Sequence, residues 1–566
     1  MRTFLQTFIL IQSIILFSFY DVNAQTYNWA KSVINATGNS ISVDADGNSY
    51  ITGNFFGVAT FGTIQLTSYG SMDVFIAKYD PLGNCIWAKQ AGGTDNDAGS
   101  GIAVDANKNS YVTGYFNGTA TFGTNQFTSF GGNDIFIAKY DTSGNCIWAK
   151  QVGGIYSDWG YGISIDPDGN AIFTGRFIGP VTFGTFLLGG YGSWDAFIAK
   201  YDPNGNCIWA NQAGGTSTDE GYGIATDQKG KSYLTGRFAG TATFGTIKLS
   251  AYGGADIFVA MYDNSGNCLW AKHGGSINAD RGMSISVDAN GNSYTTGWFK
   301  GTATFDTVQL NGYSNNDVFI AKYDSYGNLS WAIQAGGSND DVGNSISADQ
   351  IGNSFITGNF IGNITIGAFH LTGDANNTND IFVAKYDSKG QCLWAQKAGG
   401  AYNDLGNSIL VDARNKCYVT GAFSDTGTFG TIKLTGGGAF LTQISDESVP
   451  VELSSFTGTI INNAVKLEWM TITETNNNFF NIERRNQNGL WKTIGVIKGA
   501  GNSLIPIRYS YIDKDLLPNG DYLYRLKQVD YNGEYKYSNE IETKINLIPG
   551  EFSLQQNYPN PFNPNT

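Results

Sequence analysis

The chain has 566 residues, with 74 glycines, 14% aromatic residues and only 14% charged residues, against roughly 25% charged in ordinary domains. That length calls for several domains or one large repeat array, and the Gly-rich, aromatic-rich composition for short strands with many turns. A formal net charge of −14 and a pI near 4.6 argue against nucleic acid or an anionic membrane as partner, because both demand basic patches.

The N-terminus reads as a secretory signal over residues 1–24. Arg2 supplies the positive end, Phe4 to Tyr20 is mostly apolar, and Val22-Asn23-Ala24 sets small residues at −3 and −1 of a cleavage site. The apolar run is short for a membrane span, and no other stretch could cross as a helix.

From there to residue 446 one unit repeats. Trp29, Trp87, Trp148, Trp209, Trp270, Trp331 and Trp394 are spaced by 58, 61, 61, 61, 61 and 63 residues. The second unit holds four strand-like runs, at 101–105, 110–116, 134–141 and 146–151. Hairpin-type turns (Ala106–Asn109 and Thr142–Asn145) join the first pair and the last pair. Four antiparallel strands repeated at this period make a β-propeller, all-β, with four-stranded blades. Trp29 precedes the first complete unit, whereas the last unit stops after its third strand near Ser445. The segment 27–31 is therefore expected to supply the missing fourth strand of the seventh blade and to remove a free edge.

Six cysteines in an exported chain invite disulfides, but five of them, Cys85, Cys146, Cys207, Cys268 and Cys392, sit two residues before a repeat tryptophan. Equivalent positions of different repeats lie too far apart to bridge. Leu329 fills the same slot elsewhere, so free, buried core thiols are expected, Cys417 included.

The patterns Ile163-Ser164-Ile165-Asp166, Tyr111-Val112-Thr113-Gly114 and Asp134-Ile135-Phe136-Ile137-Ala138-Lys139-Tyr140-Asp141 carry a resemblance. They resemble the bacterial β-propeller repeat family often described as seven-bladed, over residues 27–446. The resemblance implies a seven-bladed propeller (domain 25–446) and no established chemistry.

After Asp446 long charged side chains replace the Gly-rich pattern, and Val449-Pro450-Val451 reads as a linker. Alternating runs at 465–469, 480–484 and 522–529 predict a small β-sandwich over 447–548, with Trp469 in its core. It resembles the fibronectin type III-like modules found beside secretion tails in Bacteroidetes and their relatives, with Tyr522 or Tyr524 in a tyrosine-corner-like contact. The last stretch, 549–566, contains Asn557-Tyr558-Pro559-Asn560-Pro561-Phe562 and is similar to the opening of a type IX secretion C-terminal sorting domain, cut short. That resemblance implies the type IX secretion machinery as a partner and a secreted or cell-surface destination.

Chemistry is sparse. The two histidines, His273 and His370, lie in different units without metal-type spacing, so a Ser-His-Asp or His-metal site is hard to build. Asp97, Asp158, Asp219, Asp280, Asp341 and Asp404 recur five positions before the first-strand isoleucine. They form either a carboxylate ring able to hold a cation such as calcium or a set of loop caps. Their repetition favours the caps, and Ala36 interrupts the ring. Asp73, Asp134, Asp195, Asp256, Asp317 and Asp380 carry the same two readings. The turns 44–48 and 166–170 resemble the front of a calcium loop without its closing Glu, and read as hairpin turns.

The informative positions are those where the repeat breaks. After the Thr-Gly of the second strand stand Asn54, Tyr115, Arg176, Arg237, Trp298, Asn359 and Ala422. Tyr156, Trp159, Tyr161, Tyr191, Trp194 and Tyr222 fall on the same face. Aromatic and Arg side chains freed from framework duty are typical binding anchors. The expectation is a shallow glycan or peptide site on that rim, in a non-enzymatic binding and scaffold protein without a cofactor. A polysaccharide-cleaving hydrolase or lyase would require unique, non-repeated acids in the channel. A third reading is a purely structural surface protein.

Overall fold

In a computed structural model, antiparallel pairing builds residues 26–445 from one recurring order of strands. In the second repeat, Ala98–Val104 pairs with Ser110–Phe116, that strand with Asp134–Tyr140, and that one with Cys146–Val152. The same order follows from innermost strands Ala36–Val43, Trp159–Ile165, Glu220–Thr226, Arg281–Val287, Asp341–Ala348 and Leu405–Val411. The third strand of the last repeat, Gly438–Ser445, pairs with Thr26–Val33, with Trp29 opposite Gln443. The Thr442 hydroxyl donates to the Trp29 carbonyl at 2.7 Å, and the Asn28 amide to the Gln443 side chain at 2.8 Å.

The structure describes residues 25–445 except 375. Between 453 and 544 it describes all but 462–463, 473, 487–488, 504–505, 516–519 and 531–534, and the side chains of 314, 475, 476 and 502 are likewise left out. The expected signal segment 1–24, the linker at 449–451 and the secretion motif at 557–562 lie outside the described residues. Among those described, the elements are strands, and no helix is long and apolar enough to cross a membrane. Two compact units separate at residue 446.

Turn chemistry sets the strand ends. Asp44 Oδ1 accepts the N–H groups of Asp46 and Asn48 at 3.0 and 2.9 Å, and Gly47 takes φ of 87°, which a side chain would strain. Asp166 holds Asp168 and Asn170 in the same way, so the calcium-loop-like sequences are side-chain-bonded hairpin turns. Innermost strands are stitched by serines. Ser40, Ser284, Ser345 and Ser408 accept the N–H groups of Ile102, Ile346, Ile409 and Ile41 at 3.1–3.3 Å. Asn39, Asn344 and Asn407 reach the carbonyls of Gly99, Gly406 and Gly38. The last repeat thus bonds back to the first.

Each layer of core lies between successive repeats. Ile76 and Trp87 of the first pack with Ile102, Phe116 and Phe136 of the second, all buried. A fully buried side chain of this size contributes about 1.5–3 kcal/mol, so cohesion between repeats is chiefly apolar.

One feature departs from the four-run reading. The connection between second and third strands forms its own hairpin, such as Thr119–Phe122 with Asn125–Thr128. That hairpin adds two residue pairs to the preceding repeat's outermost strand, Gly92 with Thr121 and Gly93 with Ala120. The Gly-Thr turn after Phe122 already held the hairpin signal. The cysteines depart as well: only Cys417 is fully buried and the other five are half-buried, and none of the six forms a disulfide among the described residues.

Among the described residues after 446, one sheet contains Leu453–Ile461, Ala464–Thr471 and Ile507–Asp513. The other contains Lys492–Ser503, Glu474–Asn486, Asp521–Asp530, Tyr535–Tyr537 and Ile541–Lys544. Both sheets feed one core around Trp469, Phe480, Leu526 and Tyr524. The Tyr524 hydroxyl donates to the Asp513 carboxylate at 2.8 Å. A tyrosine corner would bond to backbone; here Arg484, paired with Asp513 at 2.7 Å, draws the contact to a charged acceptor.

Candidate functional site

The two repeated Asp series are buried and turned into their own repeats. In Asp97, Asp158, Asp219, Asp280 and Asp404, one oxygen accepts the N–H four residues earlier and the other the N–H twenty residues later. Asp341 accepts from Gly337. The second series caps the approach to the third strand, as Asp73 does for Tyr69 at 2.7 Å and Asp195 for Tyr191 at 2.7 Å. Burial pushes the Asp158 and Asp219 carboxyls up to about 7. Asp73 and Asp97 both crowd Gly92, where an added Cβ would lie 2.8 and 2.7 Å from their oxygens. The six acids of the expected ring therefore serve as separate loop anchors. Among the described residues no group of three or more His, Cys, Asp or Glu side chains is gathered to hold an ion.

His273 is half-buried, 4.6 Å from the Tyr252 ring and stacked on Phe238, and burial lowers its pKa. His370 bonds Thr365 at 3.0 Å through Nδ1.

The rim residues behave differently. Strand register sets Arg176 opposite Trp159, Arg237 opposite Glu220 and Trp298 opposite Arg281. The Arg176 guanidinium lies 4.1 Å from the Trp159 ring centroid and 4.3 Å from that of Trp194. Tyr115 meets Trp159 edge-on at 6.3 Å, and Tyr161 lies 5.1 Å from Tyr222. Arg281 stands 4.9 Å from Tyr222 and 5.6 Å from Trp298. Eight of the ten expected rim residues thus join one network. Tyr156 and Tyr191 stay outside its centre, each half exposed at 50%.

Two members were missed by sequence reasoning. Glu220 is fully buried and pairs with both Arg176 and Arg237, while the Tyr222 hydroxyl donates to it. Burial pushes its carboxyl up, but the Tyr222 hydrogen bond and the two guanidinium groups outweigh that and hold it below the usual range. Arg281 makes no ion pair among the described residues. Both stand directly after a repeated Asp, a position that reads Thr37, Ala98, Trp159, Glu220, Arg281, Val342 and Leu405 around the repeats. Its variability was the available signal.

The network adjoins a cavity of about 520 Å³ lined by all seven innermost strands. Corresponding lining positions carry Asn39, Ser100, Tyr161, Tyr222, Met283, Asn344 and Asn407. One side of the lining is therefore aromatic and the other amide-rich, and the aromatic side belongs to the third and fourth repeats, which hold Arg176 and Arg237.

Residues 86–119 and 147–175 match the family model described as Beta-propeller repeat. The first match runs from one repeat's outermost strand past the next repeat's second strand to Thr119, and the second from an outermost strand into the following second strand. An uncharacterized WD repeat-containing protein of Acanthamoeba polyphaga mimivirus is 26% identical over 447 residues, 64% of this chain and 32% of its own length. The regulatory protein FlaEY of Caulobacter vibrioides is 28% identical over 143 residues, 24% of this chain and 15% of its own length. The chain thus spans about a third of the first relative and less of the second. Among solved structures, a puromycin hydrolase mutant complexed with PGG aligns with a TM-score of 0.37 at 9% identity, over 78% of this chain and 59% of that one.

Proposed function

We propose that this chain is an exported, non-enzymatic binding and scaffold protein that recognises an acidic glycan or peptide at the rim of its third to fifth repeats. The repeats form a seven-bladed β-propeller closed by Thr26–Val33. Support for closure comes from the pairing of that strand with Gly438–Ser445 and from the bonds of Ser408 and Asn407 to Ile41 and Gly38. The unit after residue 446 is a fibronectin type III-like β-sandwich acting as a spacer, and the tail directs type IX export to the surface or medium.

One observation carries the binding reading. Three adjacent repeats place Trp159, Tyr161, Arg176, Glu220, Tyr222, Arg237, Arg281 and Trp298 at positions where the other four carry mostly small, aliphatic or amide residues. Among the network's own side chains three guanidinium groups face one carboxylate, Glu220, which pairs with Arg176 and Arg237 and leaves Arg281 without an ion pair among the described residues. Aromatic faces beside arginines suit sugar rings or peptide planes bearing carboxylate or sulfate.

A glycan array with uronate, sulfated and neutral members, run beside acidic and neutral peptides, tests this. Acidic members are expected to bind, and Arg281→Ala to weaken them. Binding confined to neutral ligands, or unchanged in Arg281→Ala, would sink the charge argument. The cleavage reading gains little from Glu220. Ion-paired and held ionised, it has no proton to give as a general acid, which needs a raised pKa.

A further inference from the structure

A second break in the repeat lies at the opposite ends of the strands, between the fourth and fifth repeats. At one third-strand position the repeats carry Lys78, Lys139, Lys200, Met261, Lys322, Lys385 and Gln443. Lys78, Lys139 and Lys200 place their ammonium 3.8, 3.7 and 2.8 Å from the turn carboxylates of Asp44, Asp105 and Asp166. The ammonium lies 4.7–4.9 Å from a Tyr or Phe ring centroid in four repeats. Lys139 and Lys322 also donate to a carbonyl of the next repeat's turn, Pro203 and Ser388, at 3.3 Å. That same carbonyl receives the indole N–H of Trp148 or Trp331.

The fourth repeat keeps this arrangement and lacks its cation. Asp227, Tyr233 and Trp270 stand in the expected places, but Met261 replaces the lysine. Methionine matches the length of the lysine stem, with sulfur in place of Cδ, and omits the nitrogen. Asp227 is 9% exposed and makes no ion pair among the described residues. The Trp270 indole N–H, on a side chain 8% exposed, has no hydrogen-bond partner. These residues and Ser325 line a cavity of about 600 Å³ that reaches the exposed ring of Tyr326.

We propose that this cavity binds an alkylammonium group supplied from outside the chain, seated between the Asp227 carboxylate and the Tyr233 ring where neighbouring repeats hold their own lysine. Carboxylate attraction and the ring face together favour a cation there. Lys229 and Lys231 line the same cavity. They select against a second positive charge, so the distal end of the ligand is anionic or carries an acceptor. A free ω-amino acid and a lysine side chain of another protein share this chemistry.

Calorimetric titration of the full chain with 6-aminohexanoate, a lysine-containing peptide and hexanoate decides the matter, with circular dichroism melts reporting the folding of every variant. Saturable binding of 6-aminohexanoate or the peptide, and none of hexanoate, is expected. Which of the two binds more tightly separates the small-molecule from the protein source. Met261→Lys is expected to abolish binding while raising the melting temperature, because it restores the internal ammonium. Asp227→Asn should weaken binding at least about tenfold. No saturable binding by either amine, or binding unchanged in a folded Met261→Lys variant, overturns the proposal.

Discussion

Glu220 stands directly opposite Arg237 across the first two strands of the fourth repeat, and its other oxygen holds Arg176 of the third. A single buried carboxylate therefore ties two repeats at the rim. Removing one partner of a buried pair strands the others, which typically costs about 3–5 kcal/mol. Here both guanidinium groups keep some solvent contact, so the lower end applies. Glu220→Gln is expected to lower stability by about 3 kcal/mol in urea unfolding. A loss no larger than that of an exposed ion pair would show that the two arginines need no internal anion.

Trp159 separates packing from recognition. It is half-buried, and its ring and that of Trp194, 6.1 Å apart and nearly perpendicular, both lie against the Arg176 guanidinium. Such a contact contributes about 0.5–2 kcal/mol, too little to hold the repeat together, because Trp194 and Glu220 still fix the arginine. Trp159→Ala is therefore expected to leave the melting temperature nearly unchanged and to weaken capture of acidic ligands on the array. Intact capture would reduce Trp159 to loop packing.

The framework was legible because it repeats. One tryptophan outside its unit, Trp29, was enough to place residues 27–31 against the last repeat, where Thr26–Val33 pairs, and the variable position after Thr-Gly located Arg176, Arg237 and Trp298. What escaped was pairing across strands. Glu220 follows the repeated Asp219 and reads as one more acid of the same loop until the register sets it against Arg237. Met261 reads as the loss of a surface lysine until Asp227 is seen without an ion pair and the Trp270 indole N–H without an acceptor. Both signals are departures from periodicity whose meaning depends on neighbours from another strand. The acid series shows the converse: each of these periodic residues bonds within its own loop.

The N-terminal strand carries a prediction about assembly. Thr26–Val33 covers the edge of Gly438–Ser445, with Thr442 and Gln443 bonding back to Trp29 and Asn28. Deleting residues 26–33 bares a row of unpaired N–H and C=O groups on an eight-residue strand, a ready template for another chain. The deleted protein is expected to associate or aggregate in size-exclusion chromatography and to be clipped by protease within its last repeat. A monomeric, protease-resistant product would mean that the final three strands need no fourth.

Stability should fall as pH rises through the neutral range, and the sign follows from the buried acids. Burial is the largest cause in every case. It pushes Asp97, Asp158, Asp219 and Asp256 up to about 7, Asp341 to about 8, and Asp73, Asp195, Asp280, Asp317 and Asp404 to about 6. Unfolded aspartate titrates near about 3.9. Between that value and the raised ones, the folded chain binds more protons than the unfolded chain, so stability declines with rising pH across that window and levels off above it. Groups with lowered values act the other way: Glu220 and the turn acids Asp141 and Asp202 give stability that is lost only as pH falls below the ordinary carboxylate range. The melting temperature is therefore expected to be higher at about pH 5.5 than at about pH 8.5. Asp341→Asn, which fixes the highest of the raised groups in a neutral form, should make that decline shallower. A melting temperature that rises between the two pH values would mean that backbone N–H groups, and not burial, govern these carboxyls.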